Sequence, residues 1–267
     1  MESFIRETDM LEPIISGREA FISQRTAWES FFEIQTPQGV ADIIFAVFSA
    51  RRLRDRESWQ VQPIQEKATL DAMLALSEAL VIDRNEGAAH RPLTTSEISE
   101  KSFISPSHLR QKVLPHLVDA GWIERSAKAQ WIAKHSYECP TTSMYAIEVK
   151  RSEWQRALMQ AAPHTRFANK TYLAMDSGRL PKSTQILKQA LQFAGVGMIS
   201  VSAEHQAPLE MVLDPKRKNP ATNERSLVAE RVLAVRSSGG NAGEFGHVFG
   251  RWVTTSSGPD PRKSMLG

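Results

Sequence analysis

The stretch AIEVKRSEWQRALMQA, residues 146–161, joins a charged strand to an amphipathic helix, and its reading decides the fold. Side chains alternate faces along a strand, so Ala146, Glu148 and Lys150 share one face and Tyr145, Ile147 and Val149 the other. The following helix, residues 152–162, gathers Trp154, Ala157, Leu158, Ala161 and Ala162 on one side. Ser152 and Gln155 are spaced as its capping box. Trp154 reads as a core anchor in preference to a base-stacking residue. An acid and a lysine one pleat apart need water, a partner or a metal. Taken alone, the pair also reads as a solvated strand face.

Outward from this stretch, helix and strand alternate. Residues 170–175 read as a strand, 182–194 as a helix, 195–202 as a strand and 223–235 as a helix, the pattern of an α/β sheet. DPKRKNP, residues 214–220, is a basic turn, either simply solvated or in contact with phosphates. The segment from residue 237 to the C-terminus, rich in Gly and Ser, is expected to be a flexible tail. Upstream, residues 16–30 are expected to form a helix capped by Ser16. Residues 31–37 and 40–48 read as strands joined by a turn at Pro37, Gln38 and Gly39, hence an antiparallel hairpin.

Asp42 is the one acid in the apolar run VADIIF, and a lone carboxylate there is costly unless paired or bound to a cation. If its strand neighbours the strand of Glu148, the two acids converge. Two carboxylates with backbone and water oxygens make a site for Mg2+ (or Mn2+). Lys150 is then placed to orient or deprotonate an attacking water, or to neutralise charge building on a phosphate.

Between these halves the pattern changes. Residues 49–60 are charged and linker-like, and 67–82 form a strong helix. Thr94 and Glu97 are spaced as the capping box of a short helix. A longer helix begins with Ser105 as N-cap and Pro106 at its first position, and Gly121 closes it. Pro115 lies inside that helix and should kink it near Gln111. WIER (122–125) and QWIAKH (130–135) form a small hairpin.

The chain has 267 residues, room for one large domain or two small ones, and a net charge of +3 that is compatible with nucleic acid without arguing strongly for it. Cys139 is the only cysteine, which excludes an intrachain disulfide, and no Cys/His spacing suits zinc. No apolar run reaches membrane-spanning length and the first residues lack a signal peptide's apolar core, so a cytoplasmic protein without a membrane partner is expected.

Asp42, then Glu148-Val149-Lys150, followed by helix, strand, helix and strand, resembles the PD-(D/E)XK nuclease superfamily over roughly residues 16–50 and 143–203. The resemblance implies a restriction-endonuclease-like mixed sheet flanked by helices and a Mg2+-dependent DNA nuclease. Asp42 and Glu148 would be its metal ligands and Lys150 its third catalytic group. Gln160 matches the glutamine of a Gln-x-x-x-Tyr motif found in the RecB-like branch, and His164 stands where the tyrosine would be. A further acid on the first helix is often used in the superfamily; Glu19 is the first candidate here and Glu29 the second. Glu19 also reads as a first-turn acid favoured by the helix dipole, and Gln160 as a solvated polar residue.

LTTSEISEKSFISPSHLRQKVLPHLVDAGWIER resembles the winged helix-turn-helix of MarR-like regulators, over about residues 67–137. It implies a DNA-contacting helix bearing His108, Arg110, Gln111 and Lys112, or a docking surface for a protein partner. The expected organisation is a nuclease-like domain in two parts, 1–55 and 141–236, with the winged helix inserted at 65–140 and the tail at 237–267. Two rival readings remain. One is a non-catalytic winged-helix DNA-binding regulator with a degenerate nuclease-like domain. The other is a nuclease silent until a partner docks. A homodimer would give the nuclease paired cuts.

Overall fold

The computed structural model describes residues 3–83, 91–126, 130–181, 185–204 and 209–241. In chain order its elements are α1 (Leu11–Ser16), β1 (Glu29–Thr36), β2 (Gly39–Phe48), α2 (Ala50–Trp59), α3 (Lys67–Asp83), α4 (Thr95–Ser102) and α5 (Pro106–His108). A π-helical turn, Leu109–Val113, leads into α6 (Leu114–Asp119). Then come β3 (Ile123–Arg125), β4 (Trp131–Ala133), β5 (Thr141–Lys150), α7 (Trp154–Ala161), β6 (Lys170–Asp176), α8 (Gln185–Ala194), β7 (Gly197–Val201), β8 (Leu209–Leu213) and α9 (Asn223–Ser237). The chain divides into two compact units. The first comprises Met1–Phe48, Thr141–Val228 and Val235–Gly267; the second comprises Ser49–Pro140 and Ala229–Ala234.

The first unit is built on a mixed six-stranded sheet of order β1-β2-β5-β6-β7-β8, flanked by helices. β1/β2, β2/β5 and β7/β8 are antiparallel, while β5/β6 and β6/β7 are parallel. Residues 41–46 of β2 and 143–149 of β5 are buried throughout, as central strands covered on both faces must be. Alternation divides their side chains between two cores. Ile43, Phe45, Tyr145, Ile147 and Val149 pack with Met10, Leu11 and Ile14 of the N-terminal segment. On the opposite side, Leu173, Met175 and Met198 pack with Ala157 and Ala161 of α7 and Leu187 and Leu191 of α8.

The expected hairpin of β1 and β2 is present, and so are β5, α7, β6, α8, β7 and α9 close to their expected spans. Four details differ. Residues 16–30 are not a helix: α1 ends at Ser16, a 3-10 turn covers Arg18–Ala20, and Glu29 already belongs to β1. Gly17 closes α1, its N–H bonding the Pro13 carbonyl, and a side chain there would meet Leu209 Cδ1 at 2.6 Å. The aromatics that suggested a helical stripe serve the sheet instead: Phe21 packs on Phe45 and Tyr172, and Trp28 on Tyr145. Next, α7 has no Ser152–Gln155 capping box; its N-cap is Glu153 in the left-handed region, φ 58°, with no side-chain cap. Then β8 is a strand with no strong sequence signal. The expected flexible tail lies outside the described residues beyond 241.

The fourth difference lies in the second unit. Residues 49–60 are the helix α2, not a linker, with the Ser49 hydroxyl accepting from the Arg52 N–H. Its charges are used in place: Arg51 pairs with Asp55 one turn on, and Arg51 and Arg52 both pair with Glu138. Arg56 is buried. Its guanidinium makes two bonds to the Glu230 carboxylate, at 2.6 and 3.0 Å, and lies over the rings of Trp122 and Tyr137. Glu230 also accepts the Ile64 N–H.

Elsewhere in this unit the local capping and turn signals hold. Thr94 and Glu97 form their capping box, Ser105 caps the helix starting at Pro106, and Gly121 follows α6 at φ +83°. β3 and β4 pair antiparallel. The break expected near Gln111 takes the form of the π-helical turn, in which the Leu114 N–H reaches back to the Leu109 carbonyl. Pro115 has no N–H to offer the Gln111 carbonyl, and the widened turn absorbs that loss. Among the described residues no helix is long and apolar enough to cross a membrane.

The Arg56–Glu230 pair sets a stability test. Removing one member strands a buried charge, which costs about 3–5 kcal/mol. Arg56→Met should therefore lower the urea midpoint of the second unit's unfolding substantially, and the double change Arg56→Met/Glu230→Leu should recover most of it. Equal loss in both variants would show that the arginine matters for shape and not for charge.

Candidate active site

The site is made where β2 and β5 pair. The register sets Ile43 opposite Ile147 and Ile44 opposite Ala146. Ile43 and Ile147 point into the core shared with the N-terminal segment, so Asp42 and Glu148, one residue along each strand, point to the other face. One Asp42 carboxylate oxygen, Oδ2, accepts the Val149 N–H at 2.7 Å, bridging the strands just past Ile43–Ile147. The Lys150 ammonium lies 3.1 Å from Glu148 Oε1 and 3.7 Å from Asp42 Oδ2. A third carboxylate reaches the same ammonium: Glu7 Oε2, at 3.7 Å, from the 3-10 turn Glu7–Met10. Glu7 also accepts the Arg151 N–H through its other oxygen.

Three carboxylates thus surround one ammonium, with Asp42 at 6% and Glu148 at 2% exposure. The consequences differ by group. Burial, and then the neighbouring Glu148 charge, push the Asp42 carboxyl from 3.8 up to about 7, against the pull of Lys150 and the Val149 N–H. For Lys150, burial acts to lower the pKa, but Asp42, Glu148 and Glu7 together outweigh it and hold the ammonium above its usual value. Lys150 is therefore a firm cation. As a cation it can neutralise charge developing beside it or orient a water.

Glu148 has a second neighbour. Its Oε2 stands 3.5 Å from Nε2 of His164, which a 3-10 turn, Ala162–Arg166, carries beyond the end of α7. Both side chains are buried, and neither Glu148 Oε2 nor either ring nitrogen of His164 has a hydrogen-bond partner among the described residues.

Asp42, Glu148 and Lys150 are brought together, and Glu7 and His164 join them. Glu19 is not: it is exposed on the turn after α1 and makes no ion pair with the cluster. Glu29 pairs with Arg236. Gln160 is exposed on α7, one side of the helix being taken by Ala157 and Ala161. In the second unit His108, Arg110, Gln111 and Lys112 are all exposed along α5 and the π-helical turn. Glu7 had no local signal beyond being an acid just ahead of the apolar positions Met10, Leu11 and Ile14. His164 had only its position.

The carboxylates of Asp42, Glu148 and Glu7 are the groups here that could hold a hard divalent cation. Among the described residues no three Asp, Glu, His or Cys side chains are arranged to hold a metal by themselves. Comparison with protein-family models, with curated proteins and with solved structures yields no match to the chain.

The raised Asp42 pKa has a sign that can be checked. Between pH 4 and 7 the folded chain holds a proton on Asp42 that the unfolded chain releases, so this contribution to stability is full below about pH 4 and lost as pH rises through about 7. Asp42→Asn keeps an acceptor for the Val149 N–H and cannot ionise. In metal-free buffer it should exceed wild type in unfolding free energy at pH 8, by an amount on the order of a few kcal/mol that shrinks as pH falls to 4. A pH-independent difference in urea denaturation would contradict this assignment.

Proposed function

We propose that the chain is a metal-dependent nuclease of the PD-(D/E)XK kind that hydrolyses phosphodiester bonds in DNA. The observation that carries this reading is the convergence of Asp42, Glu148 and Lys150 from two paired central strands. The mixed sheet between helices is compatible with the restriction-endonuclease-like architecture. In this reading Asp42 and Glu148 bind Mg2+ or Mn2+, and Glu7 takes the place expected for a further acid on the first helix. The cation supplies a polarised phosphate and an activated water. Lys150 stays charged and stabilises the negative charge that builds on the phosphate as the P–O bond breaks. Burial of Glu148 and Asp42 excludes bulk water, which strengthens each of these interactions.

The test is digestion of plasmid and oligonucleotide DNA in Mg2+ or Mn2+. Wild type should cut, and Glu148→Ala and Lys150→Ala should each lose about 10²–10³-fold in rate or more. Equal cleavage by all three, or none by wild type on any DNA form, would sink the assignment.

A second reading rests on a different observation. From Lys101 to Val118 the chain carries no acid, while Lys101, His108, Arg110, Gln111 and Lys112 are exposed on α4, α5 and the turn after them. With the hairpin β3–β4 as a wing, this unit reads as a winged helix that contacts DNA, or a protein partner, through that face. It serves equally the nuclease and a non-catalytic regulator with a degenerate sheet domain. Arg110→Ala/Lys112→Ala should weaken DNA binding and reduce the slope of log affinity against log salt by about two, measured by fluorescence anisotropy. An unchanged slope would move DNA contact away from this face. In the regulator reading, binding is metal-independent and survives Glu148→Ala.

A further inference from the structure

Phe103 stands in the turn between α4 and α5, 95% exposed, with φ 58° and ψ 28°. Both facts count against a phenylalanine. A bulky side chain in the left-handed region is an outlier, and this position after a helix ordinarily takes Gly or Asn. Water faces nearly the whole ring, so no packing within the chain offsets the strain. The turn is held by other groups. The Ser99 hydroxyl donates to the Ile104 carbonyl and the Ser102 hydroxyl to the Ile98 carbonyl, both at 2.6 Å, and Ser105 caps the next helix. A conformation that costs energy and makes no internal contact points to a role outside the chain. The surroundings say of what kind. From Lys101 to Val118 there is no acid. Lys101 is engaged with Glu78 at 3.7 Å, whereas Arg110 and Lys112 are exposed and make no ion pair among the described residues. An open aromatic ring a few residues from two cations matches a nucleotide, with its flat base and its phosphate.

We propose that Phe103 is a base-stacking residue, and that the ligand of this face is DNA with unpaired bases beside a duplex, such as a forked end. This rests on the reading that the second unit contacts DNA through the same face. In a continuous duplex both faces of each base are covered by its neighbours, so a ring gains access only by unstacking a step and kinking the helix. At a fork the last paired base and the first unpaired one each offer a face at no such cost. Arg110 and Lys112 then hold phosphates of the adjoining duplex and set the salt dependence, while Phe103 supplies the preference for an open end. The strained turn serves this arrangement by presenting the ring to solvent just ahead of the helix that carries the cations.

The experiment is fluorescence anisotropy of the full chain, with a chelator present so that no strand is cut, on two DNAs of one sequence. One is a fork with unpaired arms and the other a duplex closed at both ends by non-nucleotide linkers. Wild type should bind the fork at least about 10-fold more tightly. Phe103→Asn suits the left-handed position and removes the ring. It should keep the thermal stability of wild type and weaken fork binding roughly 5–150-fold, with closed-duplex binding and the salt slope unchanged. Phe103→Trp should restore fork binding. With 2-aminopurine as the first unpaired base, wild type should alter its fluorescence on binding and Phe103→Asn should not. Fork binding that Phe103→Asn leaves intact, or an equal loss on both DNAs, overturns the stacking role; if Arg110→Ala/Lys112→Ala still weakens binding, DNA contact by this face stands. A fall in thermal stability in Phe103→Asn would show that the ring serves the fold, and also overturns the proposal. No binding of either DNA by wild type, or binding indifferent to Arg110→Ala/Lys112→Ala, overturns both and leaves the face to a protein partner.

Discussion

The pairing of β2 with β5 is the constraint on which the first unit depends. It joins residues 39–48 to residues 141–150 across the whole of the second unit's main segment. Ile43 opposite Ile147 and Phe45 opposite Tyr145 commit one face of both strands to the core, and a slip of one residue would turn those side chains over. The same register leaves Asp42 and Glu148 on the opposite face. The Val149 N–H would be an unpaired buried donor on its β2 side, and the Asp42 carboxylate accepts it. A single side chain thus anchors the strand pair and supplies an acid to the cluster.

That double duty explains the electrostatics. Asp42, Glu148 and Glu7 share one ammonium, so the cluster carries more negative charge than it neutralises internally. Burial turns this surplus into a pressure that raises the Asp42 carboxyl above its usual value. Lys150 itself is fixed as a cation by the company it keeps. The second unit handles charge differently. Arg56 and Glu230 neutralise each other fully, with Trp122 and Tyr137 over the guanidinium, and this closed pair leaves nothing for chemistry.

Where sequence reading fell short, the cause was tertiary packing. Residues 16–30 carry apolar positions that fit a helix loosely, yet Phe21 and Trp28 find rings of the sheet to pack against, and Gly17 ends α1 before them. Residues 50–59 look like a linker because they have almost no apolar stripe. They are helical because Arg51, Arg52 and Arg56 each have a carboxylate to meet, two of the three at Glu138 and the third at Glu230. Partners so distant in sequence leave no periodic trace. Local signals did better: the Thr94–Glu97 box, Ser105 with Pro106, and Gly121 all act within a few residues of themselves.

The sequence by itself determined the strands around Asp42 and Glu148, the shared face of Glu148 and Lys150, and the anomaly of an acid in an apolar run. Those follow from alternation and from the cost of burying a charge, both readable one residue at a time. Only the tertiary structure decided that Asp42 and Glu148 point the same way, that Glu7 and not Glu19 joins them, and that His164 faces the second oxygen of Glu148. Register between distant strands and the docking of a turn against a strand end are set by the packing of whole faces. No short stretch of sequence contains that information.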